Sequence, residues 1–190
     1  MKYADLSVKT YLKRLASKSP VPGGGSTAAL FGAIGCALLE MVVNYSDKRI
    51  IKKSAAILKN TRGYFLRLMD EDITAYDKFS LCYKRYGKDS YKTQVALKKA
   101  TFVPLKICSK SYEMTRLCGK LQNAVNKNLI SDVACAKTAF SSAFKSAKLN
   151  VDVNIKNIKD KKWGQTLGKR YQFLVSDPNK SWQKYWMAKS

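Results

Sequence analysis

A chain with no histidine must run its chemistry on carboxylates, amides, hydroxyls, lysines or thiols. His-based triads and most zinc sites are excluded at once. The carboxylates that draw attention are Asp70, Glu71 and Asp72. On a helix Asp70 and Asp72 lie about 200° apart and cannot both face inward. Asp72 shares a face with Phe65, Met69, Ile73, Tyr76 and Phe79, which sets it on or beside an apolar stripe. A carboxylate there is desolvated and can be tuned toward a general acid or base. The same pattern also fits a helix cap, a surface charge or the buried partner of a lysine. Asn150 and Asn154 form a second constellation: four apart, they stack on one helical face. Asparagine is costly to bury alone, so the pair either bridges helices or holds a ligand. A third lies in Ser19-Pro20-Val21-Pro22-Gly23-Gly24-Gly25-Ser26. Three glycines leading into a helix offer backbone amides to an anion, or else a sharp reversal with close packing, and Ser26 is the expected N-cap. No Lys-Ser/Thr follows and no strand precedes, so a nucleotide P-loop is not expected. Asn126-Lys127-Asn128-Leu129-Ile130-Ser131-Asp132 is the fourth, and Ser131 or Asp132 can cap the helix after it.

These segments need long helices to position them. Val8, Tyr11, Leu12 and Leu15 predict an amphipathic helix of about four turns that stops before Pro20. Thr27–Tyr45 is apolar and rich in small residues, a central helix expected to pack tightly, with Glu40 breaking an apolar run too short to span a membrane. Three- and four-residue spacing predicts a helix from about Arg49 to Tyr86, a turn at Gly87 and a helix from about Tyr91 to Asn123, kinked at Pro104. An Ala-rich helix follows from about Asp132 to Asn157. The basic part beyond it, with Trp163, Trp182 and Trp186, reads as one or two shorter helices over 161–190. No strand alternation, repeat or linker appears. The expected fold is all-α: one domain over 1–190, a bundle of five or more helices around the small-residue helix.

The 190 residues suffice for a single core, and 46% are hydrophobic. Lys and Arg number 36 against 13 Asp and Glu, a formal charge of +23 that concentrates anions near the surface. Nucleic acid, a membrane surface and a small polyanion all meet that description, as does a basic surface kept for solubility. The basic residues are spread evenly, without the clustered stripe that nucleic-acid binding favours. Five cysteines, Cys36, Cys82, Cys108, Cys118 and Cys135, form no CxxC pair, and no targeting segment opens the chain. A reducing, cytoplasmic setting is expected.

Taken in order, the segments resemble the cyclodeaminase domain of formiminotransferase-cyclodeaminases and the methenyltetrahydrofolate cyclohydrolases. The family pattern appears as Ser19–Ser26, Asp72–Tyr76, Val103-Pro104-Leu105, Asn126–Asp132 and Asn150–Asn154, covering about residues 6–160. Val125 stands where the family has glycine, and Arg85-Tyr86-Gly87-Lys88 lacks the proline of the family's Leu-Pro-Lys. The resemblance implies an all-helical homodimer with sites near the subunit interface, a tetrahydrofolate one-carbon substrate, and Asp72 as the catalytic aspartate. It implies substrate contacts from Pro22, Gly23, Gly24, Gly25, Ser26, Tyr76, Asn126, Asn128, Ser131, Asp132, Asn150 and Asn154. Lys84, Lys88 and Lys127 are candidates for a substrate's glutamate tail. No metal and no cofactor beyond the folate are expected, nor any membrane association. Hydrolysis of 5,10-methenyltetrahydrofolate is the first expectation, and ammonia-releasing closure of 5-formiminotetrahydrofolate the alternative. A non-catalytic basic relative that binds nucleic acid or a protein partner is the rival class.

Overall fold

The computed structural model describes residues 2–46 and 49–176. Among these are six α-helices and no strand: α1 (Val8–Leu15), α2 (Gly24–Asn44), α3 (Arg49–Tyr86), α4 (Tyr91–Leu121), α5 (Ile130–Asn157) and α6 (Lys161–Ser176). Two 3-10 turns, Tyr3–Asp5 and Lys127–Leu129, precede α1 and α5. Trp163 lies in α6, while Trp182 and Trp186 fall outside the described residues.

α2 is the axis of the bundle. It packs against both α3 and α5, and α4 closes the layer behind them. It runs antiparallel to α3, since Gly25 meets Asp72, Gly32 meets Phe65, and Glu40 pairs with Arg62 at 2.9 Å. It is antiparallel to α5 as well: Gly24 approaches Asn150 at one end, and the Asn126 amide donates to Ser46 Oγ at 3.1 Å near the other. The core between them includes Leu39, Leu58, Phe65, Leu68, Ile107 and Phe140, all fully buried. Burying each such side chain is worth about 1.5–3 kcal/mol.

The small residues of α2 let these aromatic rings reach its backbone. A Cβ on Gly32 would lie 2.5 Å from Phe65 Cδ1, and one on Gly35 2.8 Å from Phe140 Cε1. Gly32→Ala should therefore destabilise the protein by about 1–3 kcal/mol through overpacking, against the ~1 kcal/mol that alanine gains as a helix former. The urea midpoint of the variant measures this; a midpoint at or above wild type would contradict the packing.

Some boundaries differ from those expected. α1 has 8 residues, about two turns. Its Ser7 cap accepts from Thr10 N at 3.2 Å, and the Ser17 hydroxyl takes the Arg14 carbonyl beyond its end. α2 starts at Gly24, so the last two glycines lie in its first turn, and its 21 residues make it long and apolar enough to cross a membrane. Much of that apolarity faces α3 and α5. Ser26 is not the N-cap; Gly23 holds that place, and its amide donates to the Ser26 hydroxyl at 3.1 Å. α3 stops at Gly87, whose φ of 80° belongs to the left-handed region that glycine adopts freely.

Candidate active site

The three consecutive acids have three different fates. Asp70 accepts the Tyr3 amide at 2.6 Å, fastening the N-terminal turn to α3. Glu71 pairs with Lys106 on α4 at 3.0 Å. Asp72 turns toward the first turn of α2, where the Ser26 backbone N–H donates to its carboxylate. It has no salt-bridge partner among the described residues, although the chain is strongly basic. Burial therefore dominates, and the carboxyl is pushed up to about 6, with the Ser26 amide opposing the rise. The contact is so close that a Cβ on Gly25 would lie 2.6 Å from Asp72 Oδ2.

Asp72 opens onto a cavity of about 310 Å³, at the lower end of the range for small-molecule sites. One wall is aromatic: Tyr76, Phe79 and Tyr83 follow Asp72 along α3, ring centroids 6.3 and 6.0 Å apart. Another is an amide wall of Asn150, Asn154 and Asn157 on α5. Asn150 donates to the Ser146 carbonyl at 2.9 Å, and its Nδ2 would be 3.4 Å from a Cβ on Gly24, an ordinary contact between the two helices. Gly24 and Gly25 also line the cavity, and their amides belong to the first turn, where no intrahelical acceptor exists. Pro104 and Ala100 complete the α4 side. Pro104 has no N–H to give the Ala100 carbonyl one turn back. Gln94 fastens one rim, bonding Lys88 O at 3.1 Å and the Lys159 amide at 2.9 Å. A larger groove of about 1100 Å³ crosses the opposite face of α3 and α4, but its acids are Asp5 and the already engaged Asp70 and Glu71.

A carboxyl pushed up to about 6, beside amide donors and flat aromatic surfaces, is suited to taking or giving a proton on a bound ligand. Residues 7–172 match the formiminotransferase-cyclodeaminase family. The chain belongs to that family. It is 30% identical to a methenyltetrahydrofolate cyclohydrolase of Methylorubrum extorquens, covering 90% of this chain and 89% of that one. A formimidoyltransferase-cyclodeaminase of Rattus norvegicus is 23% identical over 91% of this chain, which spans 35% of the rat protein. The crystal structure of a formiminotetrahydrofolate cyclodeaminase from Thermotoga maritima superposes with a TM-score of 0.84 at 28% identity, covering 90% of this chain and 89% of that one.

The family motifs divide into two groups in the fold. Gly23, Gly24, Gly25, Asp72, Tyr76, Asn150 and Asn154 meet at the cavity. Pro22 is buried, following a cis peptide, and Pro20 and Val21 line the cavity instead. The Ser26 hydroxyl is turned away to Gly23 and to Tyr11 of α1, at 3.3 Å, so only its amide serves Asp72. Asn126, Asn128, Ser131 and Asp132 do not reach the cavity. They sit at the start of α5, and the helical rise puts Asp132 about 27 Å from Asn150. There the Asn126 side chain caps the short turn by accepting from Asn128 N at 3.0 Å. Of the three lysines, Lys88 lines the cavity, Lys84 does not, and Lys127 stays with the distant segment. Phe79, placed on the Asp72 face but not among the expected site residues, lines the cavity, as do Tyr83, Gln94 and Asn157, which were not anticipated. The two aromatics continue the face of Asp72 and Tyr76 at the next helical intervals, a signal present in the sequence.

Proposed function

We propose that this protein is a methenyltetrahydrofolate cyclohydrolase, converting 5,10-methenyltetrahydrofolate to 10-formyltetrahydrofolate with Asp72 as general base and acid. The observation that carries this is the buried, unpaired Asp72 carboxylate facing a cavity of amides and aromatic rings, in a chain related over nearly its whole length to a cyclohydrolase. The methenyl group is an amidinium cation, which a carboxylate attracts. Water attacks the carbon between N5 and N10 while Asp72 takes one of its protons, giving a neutral carbinolamine. The bond to N5 then breaks, Asp72 returns the proton to N5, and the hydroxyl proton leaves to solvent as the formyl group forms. The amides of Gly24 and Gly25 offer donors to the carbinolamine oxygen, and Asn150 and Asn154 to the pterin edge.

The substrate's glutamate tail runs out past Lys88, and a polyglutamylated folate suits a chain of charge +23. The protein works as a homodimer, in a reducing compartment consistent with five free cysteines. Closure of 5-formiminotetrahydrofolate, the reaction named for the Thermotoga relative, is the second reading. It would use the same aspartate to protonate departing ammonia. Methenyl absorbance separates the two: with purified protein it should fall from a methenyl substrate faster than it rises from a formimino substrate. The reverse ratio of kcat/KM would assign the deaminase activity instead.

A further inference from the structure

At the cavity mouth, the Gln94 side chain ties together two parts of the chain that come from different elements. Its Nε2 donates to the Lys88 carbonyl at 3.1 Å and to the Asn157 carbonyl at 3.5 Å, and its Oε1 accepts from the Lys159 amide at 2.9 Å. One carboxamide thus joins the turn between α3 and α4 to the end of α5 and the junction that leads to α6. The two sides are held very differently. The end of α5 is anchored in the core by Ile158, which is 1% exposed. Gly87, Lys88 and Asp89 are all exposed, and glycine gives the backbone of that turn its widest freedom. The other side-chain ties on the turn are weaker. The Ser90 hydroxyl reaches the Gly87 carbonyl only at 3.4 Å, and the Asp89–Lys159 ion pair joins two exposed side chains, an arrangement that contributes little. Lys88 lines the same cavity as Asp72 but lies beyond the end of α3, which continues about 21 Å from Asp72 to Tyr86.

We propose that Gln94 is a positioning residue: it clasps the α3–α4 turn to the end of α5, so that the Lys88 ammonium stands preset at the cavity mouth for a carboxylate of the ligand. A preset cation loses little freedom when the ligand arrives, whereas one on a loose turn must be ordered at that moment. Gln94 acts through Lys88, since its amide nitrogen and oxygen are both engaged by backbone groups. The distance from Asp72 places the effect on binding and leaves the chemical step alone. The kinetic consequence rests on the folate reading above, with its glutamate carboxylates; the clasp does not.

A double-mutant cycle tests this with the methenyl substrate. Gln94→Ala should raise KM about fivefold, the usual size of one ordinary hydrogen bond, with kcat within about twofold of wild type. Lys88→Ala keeps the backbone carbonyl that Gln94 holds and removes only the ammonium, so KM should rise about tenfold. In that background Gln94→Ala should change KM by less than about twofold, because the group it positions is gone. A role confined to folding gives the same KM change in both backgrounds, and that result overturns the proposal, as does a loss of kcat at unchanged KM. Gln94→Glu separates the clasp from a general loosening of the fold. Its carboxylate still accepts from the Lys159 amide but cannot donate to Lys88, so it should match Gln94→Ala in KM, and a wild-type KM there is equally fatal. Trypsin cleavage after Lys88 reads the turn without any folate, and should be at least about threefold faster in Gln94→Ala than in wild type. If no folate turns over, the functional reading fails; faster cleavage then keeps the clasp, and unchanged cleavage removes it.

Discussion

Asp72→Asn should cost the enzyme about 10²–10⁴-fold in kcat, the usual worth of a positioned acid–base group, while making the protein more stable at neutral pH. The two effects have one cause. Burial raises the Asp72 carboxyl from 3.8 to about 6, so the folded state holds this proton more tightly than the unfolded chain. Stability linked to the group is fully present below the unfolded value and is lost as pH rises through the folded one. Above that window the ionised carboxylate costs the fold about 3 kcal/mol, and asparagine, uncharged and still able to accept from Ser26 N–H, avoids the cost. Urea melts at several pH values check this: the variant's advantage should grow between about pH 4 and 7 and vanish below. An Asp72→Asn protein that is fully active, or less stable than wild type at neutral pH, would remove Asp72 from the role given to it.

Gly25→Ala should be nearly as damaging, with the opposite sign in stability. The new methyl carbon would lie 2.6 Å from Asp72 Oδ2 and 2.5 Å from its Cγ. Two helices meet there, so the carboxyl must leave its place beside Ser26 N–H or α2 must shift. Overpacking of this kind costs about 1–3 kcal/mol, and a displacement of about 1 Å can lower turnover about a hundredfold. Because the clash is with one side chain, it is relieved by shortening that side chain. A Gly25→Ala, Asp72→Ala double variant should melt close to Asp72→Ala alone, a non-additivity expected of residues in direct contact. Additive melting would show that Gly25 is needed for something other than room for the carboxylate.

The helical architecture was legible because each long helix carries its own signal: apolar spacing in α3, small residues in α2, and Gly87 as a stop. The inward direction of Asp72 was legible for the same reason, as its neighbours Phe65, Met69 and Ile73 are buried. Where α2 begins was not. Consecutive glycines read as loop, yet Gly24 and Gly25 are helical, and Gly25 is required there because Asp72 packs where its Cβ would stand, a tertiary demand invisible in local propensity. Nor could spacing tell that the Asn126–Asp132 motif lies far from Asn150. Only the unbroken length of α5 reveals that.

Asp72, raised in pKa by its burial, is proposed to move the proton in methenyl-folate hydrolysis. The pH dependence of kcat/KM for wild type, followed as loss of methenyl absorbance above the uncatalysed rate, tests it most directly. The rate should rise with pH along a limb of apparent pKa about 6, as the carboxylate becomes available to take a proton from water. The limb should be missing from the residual activity of Asp72→Asn. A wild-type profile flat between about pH 5 and 7, or the same inflection persisting in Asp72→Asn, would contradict the assignment.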